Sequence, residues 1–150
     1  TAWDVLEKKE CPGENIAIIG AGEVGLETAE FIASVLNKKV YVFEILPEYG
    51  KDMNQYEKIS LLKRIEKSGI EIFTQSNVKK IENKQLFFQR GGLDELIENI
   101  DTVVFAAGSA CCQKEYFNNL DIPVYQSGDC VIPGRIFEAI HSGYNVTNII

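Results

Sequence analysis

Several protein classes are excluded by what this sequence has little of. Its longest apolar stretches, Ile16 to Ala21 and Thr102 to Ala107, fall far short of the roughly 20 residues that a membrane-spanning helix needs. The opening TAWDVLEKKE has no apolar core behind a basic start, so it does not read as a secretory signal. Positive charge is in deficit: 15 Lys+Arg face 22 Asp+Glu, for a net charge of −7. The basic residues form no run, so the electrostatic footprint of a nucleic-acid binder is missing. There is one histidine, and the four cysteines, Cys11, Cys111, Cys112 and Cys130, show no C-x-x-C pair and no histidine at metal-ligand spacing. No metal is expected, and the thiols read as reduced in a cytoplasmic protein. The chain starts at Thr1 rather than Met, as a segment of something longer or a processed product would. What remains is 150 residues, 45% hydrophobic and 25% charged, the composition of one globular domain with room for a fragment of a second.

The hydrophobic periodicity is that of an α/β protein. Residues 15–20 are a short apolar β-prone run that stops at glycine, and 24–36 place Val24, Ala29, Phe31, Ile32, Val35 and Leu36 at three- and four-residue spacings. A second strand is expected at 38–45, a second helix at 55–67 with Ile59, Leu62 and Ile65 on one face, and a third strand at 70–74 after the break at Gly69. This β-α-β-α-β order predicts a Rossmann-like parallel sheet with right-handed crossovers and helices on both faces. The β-prone pieces between 78 and 100, turning at Gly91-Gly92, predict an antiparallel β-meander. The apolar run at 101–108 reads as a strand returning to the parallel sheet. Beyond it, 109–123 look irregular, 122–130 contain a short strand, and 134–150 form a closing helix with Ile136, Ile140 and Val146 on one face.

The most informative segment is Gly20-Ala21-Gly22-Glu23-Val24-Gly25, a GxGxxG pattern placed directly after a predicted strand and at the start of a helix. In a dinucleotide site Gly20 allows the tight turn, Gly22 lets the backbone approach a pyrophosphate, and Gly25 lets helix and strand pack closely. The free N–H groups and positive dipole end of the helix then face the phosphates. Glu44, at the end of the second strand, follows Gly25 at close to the expected spacing of about 20 residues and can accept both ribose hydroxyls. The same carboxylate repels a 2′-phosphate, and no arginine follows nearby, so NADH is expected over NADPH. Such glycines can also serve backbone geometry alone, and Glu44 can be a solvated strand end.

The runs NIAIIGAGEVGLETAEFIA, KKVYVFEILPEYGKDM, DTVVFAAGS and SGDCVIPGRIFEAIHSGY together resemble the C-terminal part of the NADH:flavin oxidoreductases related to old yellow enzyme, the 2-enoate reductase and 2,4-dienoyl-CoA reductase group. That part is similar to the pyridine-nucleotide disulfide reductases, in which an NAD domain is inserted into a FAD domain. The resemblance implies an NAD(H)-binding domain over residues 1–107 and the returning half of a FAD domain over 108–150. It implies that Glu27 lies near the nicotinamide-side ribose, and that Ala107 and Gly108 belong to a segment passing close to both cofactors. It also implies that Gly128 and Asp129 form the second flavin motif, with the aspartate on the ribityl chain. The cofactors implied are NADH and FAD.

The departures from the family pattern shape the functional expectation. Only one glycine fingerprint is present, so half of a FAD site and the flavin barrel are expected in other sequence. Cys111-Cys112 stands where the family more often runs toward a proline, and adjacent cysteines bridge only with strain, so the pair reads as structural. His141 has no visible catalytic partner and reads as a packing or flavin-neighbour residue, while Lys51 and Met53 can line the nucleotide groove or belong to a capping loop. No catalytic side chain is expected, because in such enzymes the cofactors carry the hydride chemistry. The function expected is the NADH-binding part of an FAD-dependent oxidoreductase acting on an enoate-type substrate. The alternatives are a stand-alone dinucleotide-binding or redox-sensing module, or a fragment of an NADH oxidase or disulfide reductase.

Overall fold

The computed structural model describes residues 1–111 and 120–149. Along the chain the elements are α1 (Ala2–Leu6), β1 (Asn15–Ile19), α2 (Glu23–Ser34), β2 (Lys39–Phe43), α3 (Gln55–Ser68) and β3 (Glu71–Phe73). They continue with β4 (Ser76–Glu82), β5 (Gln85–Arg90), β6 (Leu93–Ile97), β7 (Thr102–Phe105) and α4 (Ile136–Thr147). Two compact units divide the chain, Thr1–Gly108 and Ser109–Ile150.

In the first unit, β3, β2, β1 and β7 form one sheet in that order, and every neighbouring pair is parallel. β1 sits in the interior, with Ile18 opposite Val42 on one side and Val104 on the other. A strand buried on both faces has no need of polar alternation, which is why NIAII reads as an unbroken apolar run. The entries of β1 and β7 are tied together at Asp101, whose carboxylate accepts from Lys84 Nζ at 2.9 Å and from the backbone N–H groups of Asn15 at 3.1 Å and Glu14 at 3.2 Å. The Lys84 ammonium, followed by these backbone donors, holds the Asp101 carboxyl at about 2, below its ordinary 3.8.

Side chains alternate across the pleat, so each strand feeds two cores. Ile16, Ile18, Val40, Val42 and Val104 face the helices and pack with Leu26, Ala29, Ile32, Leu61 and Ile65. Ala17, Tyr41 and Phe43 face the other way, where they meet Leu86 and Phe88 of β5 and Ile100. Phe43, Phe73 and Phe88 form a ring cluster there, with centroids 5.1–5.5 Å apart. Helices were expected on both faces of the sheet. Instead α1, α2 and α3 contribute to one core and the antiparallel sheet β4-β5-β6 to the other. The physical reason lies in the period-two pattern of QLFFQ, which buries Leu86 and Phe88 together and so supplies a flat apolar face in place of a helix stripe.

Among its described residues the second unit holds α4 and, before it, a 3₁₀ turn over Gly128–Cys130. The short strand expected within 122–130 does not form: 122–126 are irregular and exposed, with no neighbouring strand among the described residues to complete a ladder. Gly128 N–H donates to Ser142 Oγ at 3.0 Å, which holds the 3₁₀ turn against α4. Cys11 and Cys130 are exposed thiols and Cys111 is half-buried, while Cys112 lies outside the described residues.

Candidate functional site

The glycine turn leaves β1 at the carboxyl edge of the parallel sheet, the edge at which open α/β sheets take ligands. Gly20 has φ +105°, and a Cβ there would stand 2.5 Å from the Ala106 carbonyl oxygen, so only glycine turns the chain here. Its N–H donates to Phe43 O at 2.8 Å. A Cβ on Gly25 would collide with the Gly20 carbonyl, so α2 approaches the turn as closely as a backbone can. Gly22 is the N-cap of α2, and it has no side chain to supply the cap bond itself.

Two carboxylates serve this turn instead. Glu44, directly after β2, is 9% exposed. Its Oε2 accepts from Ala21 N–H at 2.8 Å and its Oε1 from Leu46 N–H at 2.9 Å. A carboxylate offers about four acceptor positions, so two remain for hydroxyl donors. Asp52 reaches back from the loop before α3, and Glu23 N–H donates to its Oδ1 at 3.1 Å and Oδ2 at 3.3 Å. The same loop is anchored by Gly50 N–H, which donates to Ala21 O at 2.7 Å. Between loop and turn lies a cavity of about 290 Å³ lined by Gly22, Glu44, Leu46, Glu48, Lys51 and Asp52 among others. Lys51 thus faces the cavity, whereas Met53 packs against the helix-side core. Asp52 was missed in reading the sequence; the only local signal was an acid in the loop between the second strand and the second helix.

Elsewhere on the turn, Glu23 and Val24 open α2, and Val24 O accepts from the buried Thr28 hydroxyl at 2.6 Å. Glu27 lies one helical turn beyond Glu23, exposed, and its carboxyl sits above the usual range because of partial desolvation and then the charges of Glu23 and Glu57. Among the described residues no group of three His, Cys, Asp or Glu is placed to hold a metal ion. No helix among them is long and apolar enough to cross a membrane.

Residues 2–142 match the family model for pyridine nucleotide-disulphide oxidoreductases. The chain belongs to this family. Within this pyridine nucleotide-disulphide oxidoreductase chain, curated relatives align over almost the full length. It is 28% identical to a metal reductase of Desulforamulus reducens over 96% of this chain and 26% of that protein. It is 30% identical to an NADH oxidase of Thermoanaerobacter brockii over 97% of this chain and 23% of that protein. The chain therefore spans about a quarter of the length of these relatives. Among solved structures, a 2-naphthoyl-CoA reductase superposes with TM-score 0.79 at 28% identity, over 95% of this chain and 22% of that one. A histamine dehydrogenase from Rhizobium sp. 4-9 superposes with TM-score 0.82 at 20% identity, over 97% of this chain and 25% of that one, a likeness of fold.

The remaining residues singled out in the sequence fall in two places. Ala107 and Gly108 leave β7 at the same sheet edge as the glycine turn, since Ala106 N–H donates to Ile19 O at 2.8 Å. Both are exposed. Gly128 and Asp129 belong to the second unit, where Asp129 Oδ1 accepts from Gly134 N–H at 3.2 Å and helps shape the approach to α4. His141 is exposed on α4 with its ring 4.2 Å from that of Phe137.

Proposed function

We propose that this chain is the pyridine-nucleotide-binding part of a flavin-dependent oxidoreductase, and that it binds NADH in preference to NADPH. The observation that carries the reading is the glycine turn at the carboxyl edge of the sheet, with the Glu44 carboxylate held rigidly beside it and two acceptor positions spare. The turn's residues fit a dinucleotide: Gly22 leaves open the space a Cβ would fill, and α2 presents its N-terminal N–H groups there. In this assignment Gly20, Ala21, Gly22, Glu23, Val24 and Gly25 receive the pyrophosphate and Glu44 the adenosine ribose. Glu27 lies toward the second ribose, and Ala107 and Gly108 border the nicotinamide. Glu44 and Glu48 in one cavity disfavour the extra charge of a 2′-phosphate.

FAD is the second cofactor of this proposal, with Gly128 and Asp129 contributing to its ribityl side and the rest of its site, together with a flavin barrel, supplied by sequence outside this chain. The span of only about a quarter of the relatives' length supports this. So does α4, whose large apolar side chains Ile136, Phe137, Ile140 and Tyr144 stay exposed among the described residues. When both are bound, NADH supplies a hydride to the flavin, and the protein's part is to bind and orient. The substrate class proposed is an enoate or a related activated alkene, in line with the resemblance to the old yellow enzyme-related reductases and the likeness to an aryl-CoA reductase.

The test is a calorimetric titration with NADH and NADPH, on the chain and on Glu44→Ala. NADH is expected to bind more tightly than NADPH, and Glu44→Ala to narrow that ratio. Removing Glu44 also strips two backbone donors of their acceptor, a cost of about 1–3 kcal/mol that a melt would register. The ratio of affinities is insensitive to that shared loss. Tighter NADPH binding, or an unchanged ratio in the variant, overturns the assignment of Glu44 to the ribose.

A further inference from the structure

We propose that Asp52 is a resident anion: it occupies the phosphate-binding end of α2 when no nucleotide is bound and is exchanged for the pyrophosphate when one binds. The inference rests on the dinucleotide reading above and adds to it a built-in competitor at the same site.

The two carboxylates at the turn differ in how firmly they are held. Glu44 is buried, and its bonds of 2.8 and 2.9 Å have the length of charge-assisted hydrogen bonds. Asp52 is exposed and shares one N–H between two oxygens at 3.1 and 3.3 Å, long for a charged acceptor. One is built in and the other is replaceable. Yet the N–H that Asp52 takes belongs to Glu23, the first helical residue of α2, where the orphan donors and the positive dipole end draw an anion.

The space is contested as well as the donor. A Cβ on Gly22 would come within 3.1 Å of Asp52 Oδ2, so the carboxylate stands over the glycine whose bareness makes room for a phosphate. Two anions cannot share that position without a counter-ion between them. Asp52 can leave without unfolding the loop. Gly50 stays bonded to Ala21 O on one side, and on the other the Asn54 side chain caps α3 by accepting from Tyr56 N–H at 3.0 Å. Rotation of one exposed side chain is therefore enough.

Exchange of one anion for another makes a specific prediction. Asp52→Asn keeps an oxygen that Glu23 N–H can reach but removes the charge, so ligands carrying phosphate should gain and ligands without phosphate should not. The experiment titrates the whole chain, Asp52→Asn and Asp52→Ala with ADP-ribose and with adenosine, and follows the Glu23 amide resonance by NMR with and without ADP-ribose. Expected is ADP-ribose binding about five-fold tighter in Asp52→Asn, the equivalent of about 1 kcal/mol of helix-dipole interaction, with adenosine unchanged. The Glu23 resonance should move on ADP-ribose addition to the unsubstituted chain, and should start from a shifted position in both variants. ADP-ribose that binds the unsubstituted chain but binds Asp52→Asn and Asp52→Ala equally or more weakly overturns the exchange and leaves Asp52 a cap that shapes the loop. Absence of ADP-ribose binding to all three proteins overturns the dinucleotide reading, and the exchange with it.

Discussion

Helices α2 and α4 have the same length of 12 residues, similar apolar content and one glycine in their interior, yet they live in opposite circumstances. α2 buries Leu26, Ala29, Ile32 and Ala33 against a parallel sheet, and Gly25 brings it into contact with the glycine turn. α4 has no fully buried residue: Ile136, Phe137, Ile140 and Tyr144 are each more than 60% exposed. Burial of one large apolar side chain is worth about 1.5–3 kcal/mol. The comparison teaches that an apolar stripe is only an offer of stability, redeemed where a second surface faces it. The first unit carries two such surfaces in its sheet, and the second unit carries none among its described residues.

The contrast is sharpest in the cores. Phe88→Ala should destabilise the chain by about 3–5 kcal/mol, because it empties the aromatic cluster under the sheet. Phe137→Ala should change stability by no more than about 0.5 kcal/mol. Paired denaturant titrations decide this, and a comparable loss in both variants would break the comparison.

The two interior glycines should differ in sign. Gly25→Ala drives a methyl into the Gly20 carbonyl and should cost about 3 kcal/mol, while a methyl on Gly143 meets nothing within 4 Å. Gly143→Ala should stabilise α4 by about 0.5–1 kcal/mol through helix propensity, seen as a gain of helical circular dichroism. A loss of helical signal on Gly143→Ala would show that α4 has a close neighbour after all.

A smaller effect distinguishes the units by pH. The Asp101 carboxyl sits at about 2 in the folded chain against an ordinary 3.8, so the folded state releases its proton first. Its stabilising contribution is complete above about pH 4 and is lost as pH falls toward about 2. Asp101→Asn should lower the melting temperature at neutral pH and flatten the acid limb over that window. Helical signal from α4, read separately, should not follow it. The smallest effect is at Glu27, which folding holds above its ordinary 4.5, so its ionised form is disfavoured in the folded state. Glu27→Gln should raise stability by a few tenths of a kcal/mol above about pH 5, an effect screened by solvent at this exposed position. Melts at pH 4 and pH 7 would show a gain at the higher pH alone.

These pairs also mark what the sequence makes legible. The βαβαβ order and the turn at Gly20 are written locally, in runs of one period and in a glycine where the backbone requires positive φ. The closing helix is legible for the same reason, since Ile136, Ile140 and Val146 recur at its period. The meander was readable as strands, but that it takes the place of a helix layer depends on Leu86 and Phe88 meeting Phe43, a pairing no local pattern announces. Asp52 stayed hidden because its role depends on the path of a loop that returns it to the start of α2. Spacing alone singles out Glu44 as a candidate, but not its grip on the Ala21 and Leu46 backbone, which depends on where the turn's N–H groups point.

The position of β7 has a consequence for how the protein is made. β1 is synthesised before β7, yet one of its two edges is completed only by residues 102–105, and the wall that encloses Gly20 is supplied by Ala106. A nascent chain that ends before this point carries a paired β1-β2 edge on one side and an open ladder on the other, the kind of edge that recruits foreign strands. The glycine turn thus leaves the ribosome well before it acquires its final shape.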